Sequence, residues 1–175
     1  MGLVLVKEYR LNLDLLPIKE YVYSLKNSTS IQANKSNKGG WQSIIQNHWP
    51  PILNELKVFI QKQIPDMTFT TLWYNVNGYQ HYNELHRHNN TSEGYSGVFY
   101  IDVPDQNMGN LYFEDGTEYE PIPNKLILFP TNLIHGVHPN TSHKNRVSMS
   151  FNYLHRNYND GLQSGICVES WERMG

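Results

Sequence analysis

The spacing of apolar side chains changes partway along the chain. In two stretches before residue 66 they recur at intervals of three and four; after it they alternate. Asp14 to Asn27 predicts a helix, because Pro17 suits a first turn and Ile18, Val22 and Leu25 fall on one side. A second helix is expected to start at Pro50-Pro51 and end before Pro65. Its apolar face would carry Ile52, Leu56, Phe59 and Ile60, flanked by Leu53 and Gln63. Residues 3–13 alternate loosely and predict an edge strand, and the Asn-, Ser-, Lys- and Gly-rich stretch 27–40 predicts a loop. From Met67 onward no helix is expected. Strands are predicted at 67–76, 80–86, 95–103, 110–114, 125–129, 134–138 and 146–155, separated by turn-forming residues such as Asn-Gly and Asp-Gly. Short strands at this spacing predict a sandwich or jelly roll. The expected layout is a single mostly-β domain over 1–175. It has a strand and helical support over 1–66, a jelly-roll core over 67–155 and an uninformative tail over 156–175.

Composition narrows the class. A chain of 175 residues, 39% hydrophobic and 13% aromatic, can bury a sizeable core. A net charge of -2 without charge blocks announces neither a nucleic-acid nor a membrane partner. The lone Cys167 excludes an internal disulfide framework and fits a reducing compartment. The run Leu3-Val4-Leu5-Val6 stops at Lys7 and Glu8, too short for a secretion signal or a membrane span. These features predict a soluble, cytoplasmic protein. A single alanine, Ala33, against twenty asparagines suggests an AT-rich genome, such as that of a phage or a low-GC bacterium, and speaks only to source.

The candidate chemistry lies in three places. Residues two apart on a strand share a face, so His86 and His88 can offer two nitrogens to one metal ion. His135 opens a later strand after an apolar run and can supply a third; His138, three positions on, faces away. In the last strand Arg146, Ser148, Ser150 and Asn152 alternate with Val147, Met149, Phe151 and Tyr153. A polar face on a strand that should be central makes sense if it lines a cavity. Arg146 offers a planar fork for a carboxylate, with the Ser148 hydroxyl beside it. A histidine metal site with a carboxylate clamp one strand away suits a chelating oxo acid. His81, His138, His143 and His155 are expected on loops or the surface. Trp41, Trp73 and the run Val98-Phe99-Tyr100 are expected in the core.

Several pieces, in order over about residues 37–155, carry a resemblance. They are Gly39-Gly40-Trp41-Gln42-Ser43, Leu72-Trp73-Tyr74-Asn75-Val76-Asn77-Gly78, His86-Arg87-His88 leading to Ser96-Gly97-Val98-Phe99-Tyr100, Gly109-Asn110-Leu111-Tyr112-Phe113, Leu128-Phe129-Pro130, His135, and Arg146 to Asn152. Together they resemble the 2-oxoglutarate- and Fe(II)-dependent oxygenases, in particular the prolyl-hydroxylase-like branch and its small phage and marine-bacterial members. The resemblance implies a double-stranded β-helix of the jelly-roll, cupin-like kind. It implies iron held by His86, His88 and His135, and 2-oxoglutarate held by Arg146 with Ser148, with a further bond from Tyr74 or Asn75. The implied reaction is hydroxylation of a C–H bond in a peptidyl or small-molecule substrate, using O2 and releasing succinate and CO2. One position departs from the family, whose metal motif is His-x-Asp/Glu: here His88 stands where the carboxylate should be. Glu84 or Glu114 could supply a carboxylate instead. Two rival expectations are a non-catalytic metal-binding or structural jelly-roll module, and a three-histidine cupin-like dioxygenase with no need of an oxo acid.

Overall fold

The computed structural model describes residues 6–33, 35–88 and 93–155, and the backbone of Glu172 and Arg173. The first strand, β1 (Lys7–Arg10), leads into helix α1 (Leu15–Ser28); β2 (Asn37–Lys38) and β3 (Trp41–Gln42) follow. A 3-10 turn at Pro51–Leu53 precedes α2 (Asn54–Gln63). The remaining strands are β4 (Met67–Asn77), β5 (Tyr82–Arg87), β6 (Gly94–Asp102), β7 (Leu111–Phe113), β8 (Glu118–Tyr119), β9 (Lys125–Pro130), β10 (His135–Val137), β11 (Arg146–His155) and β12 (Glu172–Arg173).

The strands form two antiparallel sheets. One has the order β1-β9-β6-β11-β4-β3 and the other β12-β5-β10-β7-β8, with β2 also on β5. From β4 to β11, the strands switch between the sheets at every step except β7 to β8, placing β4, β6, β9 and β11 against β5, β7, β8 and β10. This alternation is the jelly roll, or double-stranded β-helix. Strand alternation gives the larger sheet two different faces. On its outer face Leu72, Tyr74, Val76, Phe99, Ile101, Leu126, Leu128, Val147, Met149, Phe151 and Tyr153 pack against Ile18 and Val22 of α1 and Leu56 and Ile60 of α2. Between the sheets lie Tyr100, Leu111, Phe113, Ile127 and Phe129.

Most expected elements are present, with three differences. Ile52 is exposed and Leu53 takes the buried place, because the helix opens with a 3-10 turn of three residues, which shifts the apolar phase. The stretch 27–40 is not wholly loop. Its last residues form β2 on β5, and Trp41-Gln42 pairs with β4, so residues 37–42 step from one sheet edge to the other. Ladders of two residues are too short to leave a pattern in the sequence, and β8 escapes it for the same reason. Most of 156–175 lies outside the described residues.

Candidate metal and anion site

β5 and β10 are neighbours, and His86 stands directly opposite His135. His88 follows just past the end of β5, where its N–H donates to the Thr131 carbonyl at 3.1 Å. As the two-residue spacing requires, His86 and His88 share the inner face. One ring nitrogen from each of the three histidines lies within 4.8 Å of the others, and Nε2 of His86 is 3.1 Å from Nε2 of His88.

Hydrogen bonds behind the rings set what the cluster presents. Nδ1 of His86 lies 2.7 Å from the Glu84 carbonyl, and Nδ1 of His135 lies 2.8 Å from the Leu133 carbonyl. A carbonyl only accepts, so both Nδ1 atoms carry the proton and both Nε2 atoms are lone pairs. Nδ1 of His88 faces Oδ1 of Asn152 at 2.7 Å, to which it donates with the amide oxygen turned toward it, and the Ser96 hydroxyl lies 3.1 Å from the same nitrogen. Burial holds all three rings neutral. It pushes His86 down to about 4 and His88 to about 3, and it takes His135 well below the usual histidine range, with His86 and His88 adding to the effect. Three neutral imidazoles with inward lone pairs, each held by an acceptor behind it, are a metal-ligand set. Two nitrogens at right angles about an ion, each about 2.1 Å from it, would sit about 3.0 Å apart, close to the His86–His88 spacing.

The histidines line one part of a cavity between the sheets that Arg146, Ser148, Ser150, Asn75 and Tyr100 also line. Residues facing each other across the sheet explain this gathering. Ser148 pairs with Tyr100 on one side and Asn75 on the other, and Arg146 pairs with Asn77. The Arg146 guanidinium is buried. Its Nη1 donates to the Met108 and Gly109 carbonyls at 2.8 and 2.9 Å. Among the described residues its Nε has no acceptor, and no carboxylate lines the cavity. Burial lowers the pKa of Arg146 and raises that of Tyr100 to about 12, so at neutral pH the arginine remains a cation and the phenol keeps its proton. A buried cation without a counter-charge is costly, and this cavity would offer an anionic ligand a fork, a phenol and a hydroxyl.

Residues 112–152 match the family described as "Putative 2OG-Fe(II) oxygenase". The matched stretch includes His135, Arg146 and Ser148 and begins after His86 and His88. No curated protein matches the chain. Solved structures do: a prolyl-4-hydroxylase from Pseudomonas putida has 14% identity and a TM-score of 0.64, over 88% of this chain and 94% of that one. A Trichoplax adhaerens prolyl hydroxylase, in complex with a fragment of the hypoxia inducible factor oxygen degradation domain, has 15% identity and a TM-score of 0.71, over 91% and 87%. HygX from Streptomyces hygroscopicus, with nickel, 2-oxoglutarate and hygromycin B bound, has 8% identity and a TM-score of 0.68, over 87% and 84%. The chain shares the fold of these structures.

Within this fold the expected site residues separate cleanly. His86, His88 and His135 meet, and Arg146, Ser148 and Asn75 line the adjoining cavity. Tyr74 does not join them. Neighbours on a strand point to opposite faces, and with Asn75 turned inward Tyr74 faces the helices, its ring edge-on to Tyr21 at 5.9 Å. Neither glutamate enters the cluster: Glu84 reaches Lys38 at 3.4 Å, and Glu114 is exposed. Trp73, expected as packing, lines the cavity and tilts against His88 with ring centroids 5.4 Å apart. Tyr100 is missing from the expected site because its apolar run reads as core. The register gives it away, since Ser96, Val98 and Tyr100 share a face opposite the polar face of β11. His138 is on the surface, bonded to Glu118 at 2.9 Å. No helix among the described residues is long and apolar enough to cross a membrane.

Proposed function

We propose that this chain is a 2-oxoglutarate- and Fe(II)-dependent dioxygenase that hydroxylates a C–H bond of its substrate and releases succinate and CO2. One observation carries the reading. A single cavity joins three convergent imidazole lone pairs to a buried guanidinium, and no carboxylate among the described residues lines it. His86, His88 and His135 would hold the iron, which when bound supplies the centre for chelating the oxo acid and activating O2. Arg146 would take the far carboxylate through its planar fork. Tyr100, still protonated at neutral pH, and Ser148 would each add an O–H donor, and Asn75 an amide. Leu111, Phe129, Val98 and Val137 wall the cavity and keep water from the reacting centre.

The substrate reading rests on likeness of fold. Two of the similar structures above are prolyl hydroxylases and one holds hygromycin B. A peptidyl residue such as proline is therefore the favoured target, and a small molecule the other. Anaerobic addition of Fe(II) and 2-oxoglutarate should give a visible charge-transfer band, lost in His135→Ala and weakened in Arg146→Ala. Absence of both the band and succinate release would refute the reading. Tight Zn(II) binding without oxo-acid binding would leave a metal-holding jelly-roll module in its place.

A further inference from the structure

The second histidine of the cluster is held differently from the other two. His86 and His135 each donate Nδ1–H to the main-chain carbonyl two residues earlier, an acceptor that any sequence supplies. His88 depends on a side chain. Its Nδ1 donates to Oδ1 of Asn152 at 2.7 Å, and the Ser96 hydroxyl donates to the same oxygen at 2.7 Å. The Asn152 amide nitrogen in turn lies 3.4 Å from Oγ1 of Thr71. Thr71, Asn152 and Ser96 face one another across β4, β11 and β6 and are all buried. The β11–β4 register shifts just beyond Asn152 and Thr71, where Thr70 is an extra residue on β4.

We infer that Asn152, oriented by Ser96, is the positioning residue of His88 and decides which of its nitrogens bears the proton. The inference rests on the metal-binding reading of the three histidines. A neutral imidazole carries its proton on either nitrogen. With the proton on Nδ1, His88 turns a lone pair toward the cluster. With the proton on Nε2, it points an N–H at Nε2 of His86, 3.1 Å away. The two rings then hydrogen-bond to each other, and both donors are lost to a metal ion. The Asn152 amide oxygen favours the first state over the second. Its role would be special to a His-x-His motif, because a carboxylate at position 88 has no ring proton to place.

Two measurements test this without turnover. In the metal-free protein, long-range 1H–15N correlation of the histidine rings should place the proton of His88 on Nδ1. In Asn152→Leu the proton should move wholly or partly to Nε2, with His86 and His135 unchanged in their backbone bonds. Calorimetric titration with Ni(II) alone should show affinity falling about 10–100-fold in Asn152→Leu. Asn152→Asp, which keeps an acceptor in place, should recover it. Wild-type His88 protonated on Nε2, or an Asn152→Leu variant that binds Ni(II) as well as the wild type, overturns the inference while leaving the three-histidine site standing. Wild-type protein that takes up no Ni(II) overturns both. Should Asn152→Leu fail to fold, the wild-type tautomer and Ni(II) binding by Ser96→Ala and Asn152→Asp still decide the question, since weaker binding is expected only in Ser96→Ala.

Discussion

Replacing Arg146 with methionine separates a functional role from a structural one. The guanidinium makes two bonds to main chain, from Nη1 to the Met108 and Gly109 carbonyls, and its Nη2 donates to the Asn77 side-chain oxygen at 3.1 Å. Removing it leaves these buried acceptors short of a donor, at about 1–3 kcal/mol each. Against that, it removes a desolvated cation that no described carboxylate compensates, and such charges are often replaced by apolar groups at no net cost. The two terms oppose, so the ligand-free variant should melt near the wild type. Ligand binding has no such compensation. Truncating one partner of a buried, hydrogen-bonded charge pair costs about 2–5 kcal/mol, so affinity for 2-oxoglutarate should fall at least about 30-fold. In a thermal-shift assay on Mn(II)-loaded protein, 2-oxoglutarate at about a hundred times its Kd adds about 2.7 kcal/mol. For a domain of this size that is about 5–10 °C in Tm. The wild type should show this rise, and Arg146→Met should show at most about a third of it at the same concentration. An undiminished rise in a folded Arg146→Met protein would refute the clamp.

Other predictions follow from the same geometry. The folded pKa of His86, about 4, lies below the ordinary histidine value of 6.5. Between those values the unfolded chain binds more protons, so metal-free stability should hold above pH 6.5 and fall on acidification to pH 4, by about 3 kcal/mol from His86 and further from His88 and His135, whose values are also lowered. Urea midpoints measured across that range check this, and a flat profile would contradict the buried neutral ring. His135→Ala should abolish detectable Ni(II) binding in calorimetry, whereas His138→Ala, altered on the surface beside Glu118, should leave it unchanged. Gly40→Ala should destabilise the protein by about 1–3 kcal/mol in denaturant titration. Its new methyl would fall 2.9 Å from the Val76 carbonyl and 2.8 Å from Oδ1 of Asn37, where the chain crosses between the sheets.

What the sequence revealed, and what it hid, follows from distance along the chain. Two-residue alternation exposes which side chains share a face, so His86 with His88, and Arg146 with Ser148, are legible without coordinates. The larger strands and both helices are legible for the same reason, being long enough to show a period. Register is not legible. Whether Tyr74 or Asn75 faces the cavity depends on which of them lies opposite Ser148, and the sequence leaves both open. Tyr100 hides because a buried tyrosine in an apolar run looks like packing until its neighbour across the strand pair is known to be a serine. The step through residues 37–42 hides because its pairing partners lie some forty positions away.

Much of this site comes back to one strand. β11 crosses the middle of the larger sheet, and every second side chain from Arg146 to Asn152 points between the sheets. At about 3.3 Å per residue, those six steps span about 20 Å, so one rigid strand serves both ends of the cavity. Its first inward residue is the guanidinium and its fourth is the amide behind His88. The register shift that follows places its extra residue, Thr70, on β4 and leaves the alternation of β11 intact. The same strand also explains how histidine can stand at position 88. An imidazole there brings a second ring nitrogen that a carboxylate lacks, and in a buried cluster that nitrogen needs a partner. The partner comes from β11, which faces the end of β5 across the interior. The departure from a His-x-carboxylate motif is thus matched by a side chain sixty-four positions away, as expected of a built three-histidine centre and not of one that has lost a ligand.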